Sequence, residues 1–291
     1  MDRRTFLAAA VTATAAALGA CTAETRLSPR PSPSPSPSPA SASTTARKGV
    51  GLSRLKEFGI DQLNSLDLSW FYTWGANYPS TAYALRPDAE FVPMIWGRRS
   101  LERRAIDQVR SELPRTKAED LLGFNEPDHA GQAELSVGAA VELWPQLEHA
   151  GLRLGSPAPV QPLGDWLQRF MDQAAAKDLR VDFVAMHSYA PPHADSFLRT
   201  VQKLHERYGM PVWVTEYAVA DWKATAKSPS RFSEKEVLAF MGETIAGLRE
   251  MPFVERFAWK TRAEGDPIMG ASALFRSNGS LTPTGELYRS L

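Results

Sequence analysis

The chain has 291 residues, with 33 basic and 33 acidic side chains, so its zero formal charge gives no electrostatic reason to expect nucleic acid. A hydrophobic fraction of 43% suffices for one large core or two small ones, and the single cysteine, Cys21, excludes an intrachain disulfide. Several of the eight tryptophans fall at the ends of strand-like runs, which favours a ligand with flat apolar faces, such as a sugar.

At the start, Arg3-Arg4-Thr5-Phe6-Leu7 precedes an apolar run to Ala20, and Leu18-Gly19-Ala20-Cys21 is a small-residue site ending in a thiol. Residues 1–21 read as an export signal with a twin-arginine start, too short and one-sided for a membrane span. The site resembles those of bacterial lipoproteins, in which the cysteine becomes the acylated first residue. The expectation is an exported chain anchored through Cys21 to the outer side of a bacterial membrane; the alternative is an ordinary cleavable signal and a secreted protein. Residues 22–47 read as a disordered linker, because the Pro-Ser repeats of 28–43 cannot build a core. They favour extended polyproline II, a spacer of about 50 Å at roughly 3.1 Å per residue.

From 48 to 291, eight apolar β-like runs alternate with amphipathic helical stretches. The runs are 49–52, 68–74, 90–96, 120–125, 153–156, 181–189, 211–217 and 255–261; the helical stretches include 101–113, 137–149, 166–177, 196–208 and 234–251. Ser100, Ser136 and Asp195 are candidate N-caps, Ser233 with Glu236 fits a capping box, and Gly151 and Gly209 mark helix ends. Alternating strands and helices imply an α/β fold with a parallel sheet, and eight units in this length match a single (β/α)8 TIM barrel. An open doubly wound sheet is the alternative. No GxGxxG or Walker-type loop follows the first strand, which removes the nucleotide-binding version of that fold.

In a barrel, chemistry sits where strands end. The fourth run closes on Asn125-Glu126-Pro127, where proline stops further pairing, and the seventh closes on Thr215-Glu216-Tyr217. Glu126 and Glu216 are therefore the candidate catalytic pair, since cleaving a glycosidic bond needs one protonated carboxyl and one carboxylate. Asn125 can hydrogen-bond a sugar 2-hydroxyl. His187 and Tyr189 alternate on the sixth run, so both can point inward and hold a carboxylate ionised; a satisfied core histidine is the other reading of His187. Trp70, Tyr72 and Trp74 share one face by period-two spacing, and Trp74, Trp96, Tyr217 and Trp259 complete the candidate substrate-binding set. Lys260 reads as a solvated or salt-bridged cation. No cofactor or metal is expected, since the histidines lack ligand spacing, and the chain is expected to act as a monomer.

The strings GFNEPD, VWVTEYAV, FVPMIWG, VDFVAMHSY and NGSLTPTGELY, in that set, resemble glycoside hydrolase family 128 over residues 49–291. The resemblance implies endo-acting hydrolysis of β-1,3-glucan with retention of configuration, with Glu126 as acid/base and Glu216 as nucleophile. A tryptophan often follows the histidine of this pattern; Ser188 stands here. A glycan-binding protein on the same scaffold, or a glycosidase for another β-glucan linkage, are the alternative expectations.

Overall fold

A computed structural model of the chain describes residues 46–52, 59–79 and 89–291. The export signal, Cys21 and the linker lie outside the described residues, apart from the linker's last two positions. Those two belong to the fold: Ala46 is buried and Arg47 opens β1 (Arg47–Gly51). Arg47 is held there by an ion pair to Glu90 at 2.9 Å and a hydrogen bond to the Ser69 carbonyl.

Among the described residues seven more strands follow, each within or overlapping one predicted run. They are β2 (Trp70–Tyr72), β3 (Glu90–Phe91), β4 (Asp120–Leu121), β5 (Arg153–Leu154), β6 (Val184–Ala190), β7 (Val212–Val219) and β8 (Val254–Lys260). Every strand pair is parallel. Six strands form one sheet in the order β3-β2-β1-β8-β7-β6, and β4-β5 form a second. Isolated parallel bridges join the two sheets at both junctions, Met94 with Leu122 and Gly155 with Phe183. The fold is thus α/β with parallel strands.

Among the described residues the α-helices are α1 (Gly59–Asn64), α2 (Arg98–Glu102), α3 (Ala105–Thr116), α4 (Val137–Glu148), α5 (Asp165–Ala176), α6 (Ala194–Tyr208), α7 (Glu234–Glu250) and α8 (Pro283–Ser290). Ser136 caps α4 by accepting from Ala139 N, the Ser233–Glu236 capping box starts α7, and Gly209 ends α6 in the left-handed region. Two expected caps differ. Ser100 lies inside α2, whose N-cap position is Gly97, and Arg104 in a left-handed conformation (φ 58°) splits the predicted 101–113 helix in two. His193 occupies the N-cap position of α6, and Asp195 sits in the first turn, where its charge favours the helix dipole instead.

Alternation along the strands divides the apolar side chains into two clusters. Trp70, Tyr72, Phe183, Trp213 and Ala258 belong to a small one with Val92, Met94 and Leu122. Their immediate neighbours Phe71, Val184, Val214, Phe257 and Trp259 belong to the large one, which includes the buried helix faces. The small cluster holds large rings because glycines make room for them. A Cβ on Gly49 would stand 2.2 Å from the Trp70 indole nitrogen, and one on Gly155 would stand 2.4 Å from the Phe183 ring.

Below this cluster, at the N-terminal ends of the strands, charges are paired into a network. Arg256 binds Glu90 with two bonds (3.0 and 3.2 Å) and Asp120 at 2.6 Å; Arg153 binds Asp120 at 3.0 Å and Glu255 at 3.0 and 3.1 Å. The Arg256 guanidinium also lies 4.2 Å from the Trp213 ring centroid.

Candidate active site

The opposite, C-terminal ends of the strands surround a cleft of about 680 Å³. Trp74, Trp96, Asn125, Glu126, Tyr189 and Glu216 all line it. Tyr217 and Trp259 do not.

Glu216 reaches the cleft through a break in the strand's alternation. Met186 pairs with Val214, but His187 pairs with Glu216, so Thr215 is one residue extra on β7. The β8 side shows the same excess, Val214 opposite Phe257 and Tyr217 opposite Trp259. Trp213 faces the small inner cluster, and strict alternation would bring Thr215 inward and turn Glu216 out; the bulge shifts the parity by one and aims the carboxylate inward. The same shift turns Tyr217 away. It is fully buried and stacks on Phe197 at 4.9 Å, its hydroxyl beside Thr244 without a well-formed hydrogen bond. Trp259 is likewise fully buried, edge-on to Tyr217 at 4.9 Å, with its indole N–H donating to the Ser272 carbonyl at 2.8 Å. Both were expected at the substrate because they adjoin polar strand ends; in a parallel sheet covered on both faces, the residue next to an inward side chain faces the helices.

Glu126 follows the short β4. Its N–H donates to Ala158 O at 2.9 Å, and its backbone sits in the left-handed region (φ 39°), as does that of Trp74 (φ 56°). For a residue with a side chain this costs about 1–2 kcal/mol, a strain that the surrounding fold imposes at both positions. Asn125 is buried; its Nδ2 donates to Gln132 Oε1 at 3.1 Å, while Oδ1 has no partner among the described residues.

His187 joins the two carboxylates. It is 1% exposed, with Nδ1 2.9 Å from Glu126 Oε1 and Nε2 3.3 Å from Glu216 Oε1. The second contact is close enough for an ion pair but off hydrogen-bonding geometry, so Nε2 stays unsatisfied. One imidazole spanning both groups places the two glutamates across a single small space.

Glu216 is surrounded by donors. Trp74 Nε1 donates to Oε1 at 2.8 Å, the Tyr189 hydroxyl donates to Oε2, and Lys260 Nζ lies 3.4 Å from Oε2. Burial alone would raise its pKa. The electrostatic pull of the adjoining His187 ring and of Lys260, with the hydrogen bonds from Tyr189 and Trp74, outweighs that, lowering it from 4.5 to about 2, so the group is an anion at any ordinary pH. Burial, and then the Glu216 charge, push the Tyr189 hydroxyl well above its usual value, which keeps it a donor. Lys260 is thus the salt-bridged cation of the sequence reading, and its ammonium also sits 3.6 Å from the Trp74 ring centroid.

The sequence reading missed other lining groups, His129, Gln132, Gln161, Arg262 and above all Trp222. They lie on loops without periodicity, so no pattern points them inward. The only local signal is Asp128, whose carboxylate accepts from Val160 N and Gln161 N and so draws the β5 loop to the rim.

A family model described as the glycosyl hydrolase catalytic core matches residues 53–288. A solved endo-β-1,3-glucanase of family 128, subgroup I, from Amycolatopsis mediterranei, in complex with laminarihexaose, is 35% identical with a TM-score of 0.72, over 84% of this chain and 99% of that one. A subgroup II endo-β-1,3-glucanase from Sorangium cellulosum is 29% identical with a TM-score of 0.70, over 84% and 98%. Alkali-sensitive linkage protein 1 of Schizosaccharomyces pombe is 29% identical over 237 residues; the match takes in 78% of this chain and 41% of that protein's length. With the cleft geometry beside these similarities, the chain is a glycoside hydrolase and belongs to glycoside hydrolase family 128, within the glycosyl hydrolase catalytic core.

Proposed function

We propose that this chain is a retaining endo-β-1,3-glucanase that uses Glu216 as nucleophile and Glu126 as acid/base. The observation that carries the reading is the contrast between the two carboxylates. Glu216 is held as an anion by three side-chain partners, whereas Glu126 meets the cleft from a strained turn with His187 at one oxygen. The similarity to family 128 endo-β-1,3-glucanases supports the substrate class. The two bridges between the sheets support a closed (β/α)8 ring, which would explain why Glu126 and Glu216 meet from strands far apart in sequence.

In the first step Glu126 gives its proton to the glycosidic oxygen while Glu216 attacks the anomeric carbon, breaking the C–O bond and leaving a glycosyl ester. In the second, Glu126 takes a proton from water, whose oxygen attacks the same carbon and releases Glu216 as carboxylate. Asn125 Oδ1, buried beside Glu126 without a partner, would accept from the sugar 2-hydroxyl. Two inversions give net retention. Export of the chain and acylation at Cys21 belong to this proposal on sequence grounds, and the mass of the mature N-terminus tests them.

The test is hydrolysis of laminarin, with product sizing and NMR of the first anomer formed. Mixed oligosaccharides released early, with β configuration, are expected. Initial α products would remove the retaining mechanism, and single glucose units would remove endo action. Binding of laminarin without turnover would select the glycan-binding alternative.

A further inference from the structure

The aromatic side chain Trp222 stands apart from the other rings of the molecule. It is 59% exposed, the only large hydrophobic residue so exposed among the described residues, and it lines the cleft. Lone exposed apolar residues are common and need no explanation by themselves. This one is held in place. Its indole N–H donates to the Tyr189 carbonyl at 2.9 Å, and its ring meets Tyr189 edge-on with centroids 6.2 Å apart. The chain beneath is clamped by Asp221, whose carboxylate accepts from Lys223 N and Arg231 N at 3.2 Å each and whose N–H donates to Ile268 O at 3.1 Å. The polar edge of the indole is therefore used up within the protein, and what meets solvent is apolar ring.

We propose that Trp222 is a stacking platform for one pyranose ring of the bound glucan, a substrate-binding residue at the end of the cleft where Tyr189 backs it. The proposal rests on the glucanase reading above and adds a residue to it. The exposed apolar surface is a single side chain, far below the roughly 800 Å² per partner that a stable protein interface buries. It matches the C–H face of one sugar ring. Because the indole N–H is already bonded and the loop is anchored, little ordering is left for the ligand to cost, which is the condition for a pre-formed binding surface. Trp222 touches the same tyrosine whose hydroxyl holds Glu216, so a sugar stacked there stays in register with the reacting carboxylates.

The experiment measures binding of laminari-oligosaccharides of two to six units by calorimetry, using the full chain carrying Glu216→Gln so that the ligand persists. Trp222→Ala and Trp222→Phe are added in turn. Affinity should rise with length, and at the length that reaches the platform Trp222→Ala should weaken binding about tenfold, with shorter ligands unaffected and Trp222→Phe recovering part of the loss. In the parent active chain, Trp222→Ala should raise KM on long substrates and leave the pH profile of kcat unchanged, which separates stacking from an indirect effect through Tyr189. Equal affinities for the parent and Trp222→Ala at every length would overturn the platform while leaving the glucanase reading intact. Failure of the parent to bind any of these ligands would overturn the glucanase reading, and the platform with it.

Discussion

The two ends of the strands both bury charged groups, yet they treat them in opposite ways. At the N-terminal end, Asp120 is 1% exposed and bound by Arg256 and Arg153, but burial and the nearby charges of Glu90 and Glu255 win, and its pKa rises from 3.8 to about 6. At the C-terminal end, Glu216 is 4% exposed and burial pushes the same way, but the His187 ring, Lys260 and two neutral donors act on it and its pKa falls to about 2. Burial pushes both carboxylates up; what separates them is the balance of donors and cations against competing acids around each. The base shares its cations among several carboxylates and joins strands. The cleft concentrates its donors on one carboxylate and leaves Asn125 Oδ1 and His187 Nε2 unsatisfied, which suits a site meant to receive something.

The comparison breaks most sharply under substitution. Glu126→Gln and Glu216→Gln should each lower kcat on laminarin by about 10²–10⁴-fold or more, whereas substitutions in the base should act on stability and spare kcat. Arg256→Met takes the most buried cation from Asp120 and Glu90, leaving Asp120 to Arg153 and Glu90 to Arg47, and should cost about 3 kcal/mol in chemical denaturation, with kcat retained in the folded fraction.

Stability against pH gives the next contrast. Glu216 is a stronger acid folded than unfolded, so its contribution is complete above about pH 4.5 and is lost as the pH falls toward 2. Asp120 is a weaker acid folded, so its contribution is complete below about pH 3.8 and is lost as the pH rises through 6. Each slope is worth about 3 kcal/mol, with opposite sign. Denaturation from pH 2 to 7 should show Glu216→Gln flattening the lower limb and Asp120→Asn the upper one.

A smaller effect isolates a single donor. Lys260→Met takes one cation from Glu216, so the acid limb of kcat/KM should move up by about one pH unit; an unmoved limb would mean that His187, Tyr189 and Trp74 suffice. Smallest of all, Tyr217→Phe removes a buried hydroxyl that lacks a formed hydrogen bond and should change stability by less than about 1 kcal/mol and kcat not at all. A large loss of activity there would return Tyr217 to the site.

Much of this was legible in the residues. The eight strand runs and the Ser136 and Ser233 caps follow from local pattern, and Asn-Glu-Pro ending an apolar run marks a strand exit. The cleft was legible where a residue sits at a strand end on the inner face, as Trp74, Tyr189 and Glu126 do. It was not legible where facing depends on what a neighbouring strand does. Tyr217 and Trp259 look like rim residues in one dimension, and only the pairing of β7 with β6 and β8 shows that they face the helices. Trp222 was hidden for another reason. Its orientation comes from the Tyr189 carbonyl and the Asp221 clamp, contacts that no periodicity encodes.

The extra residue in β7 has a wider consequence. Pair β7 without that bulge, Thr215 taking a regular place in the ladder, and the carboxylate would face the helices among the rings that now surround Tyr217, while a phenol looked into the groove. On such a scaffold a working hydrolase and an inert one can differ only in how one strand pairs with its neighbours, so sequence kinship alone would not tell them apart. The register of the acid-bearing strand against both neighbours is the thing to check before activity is assigned to any chain built this way.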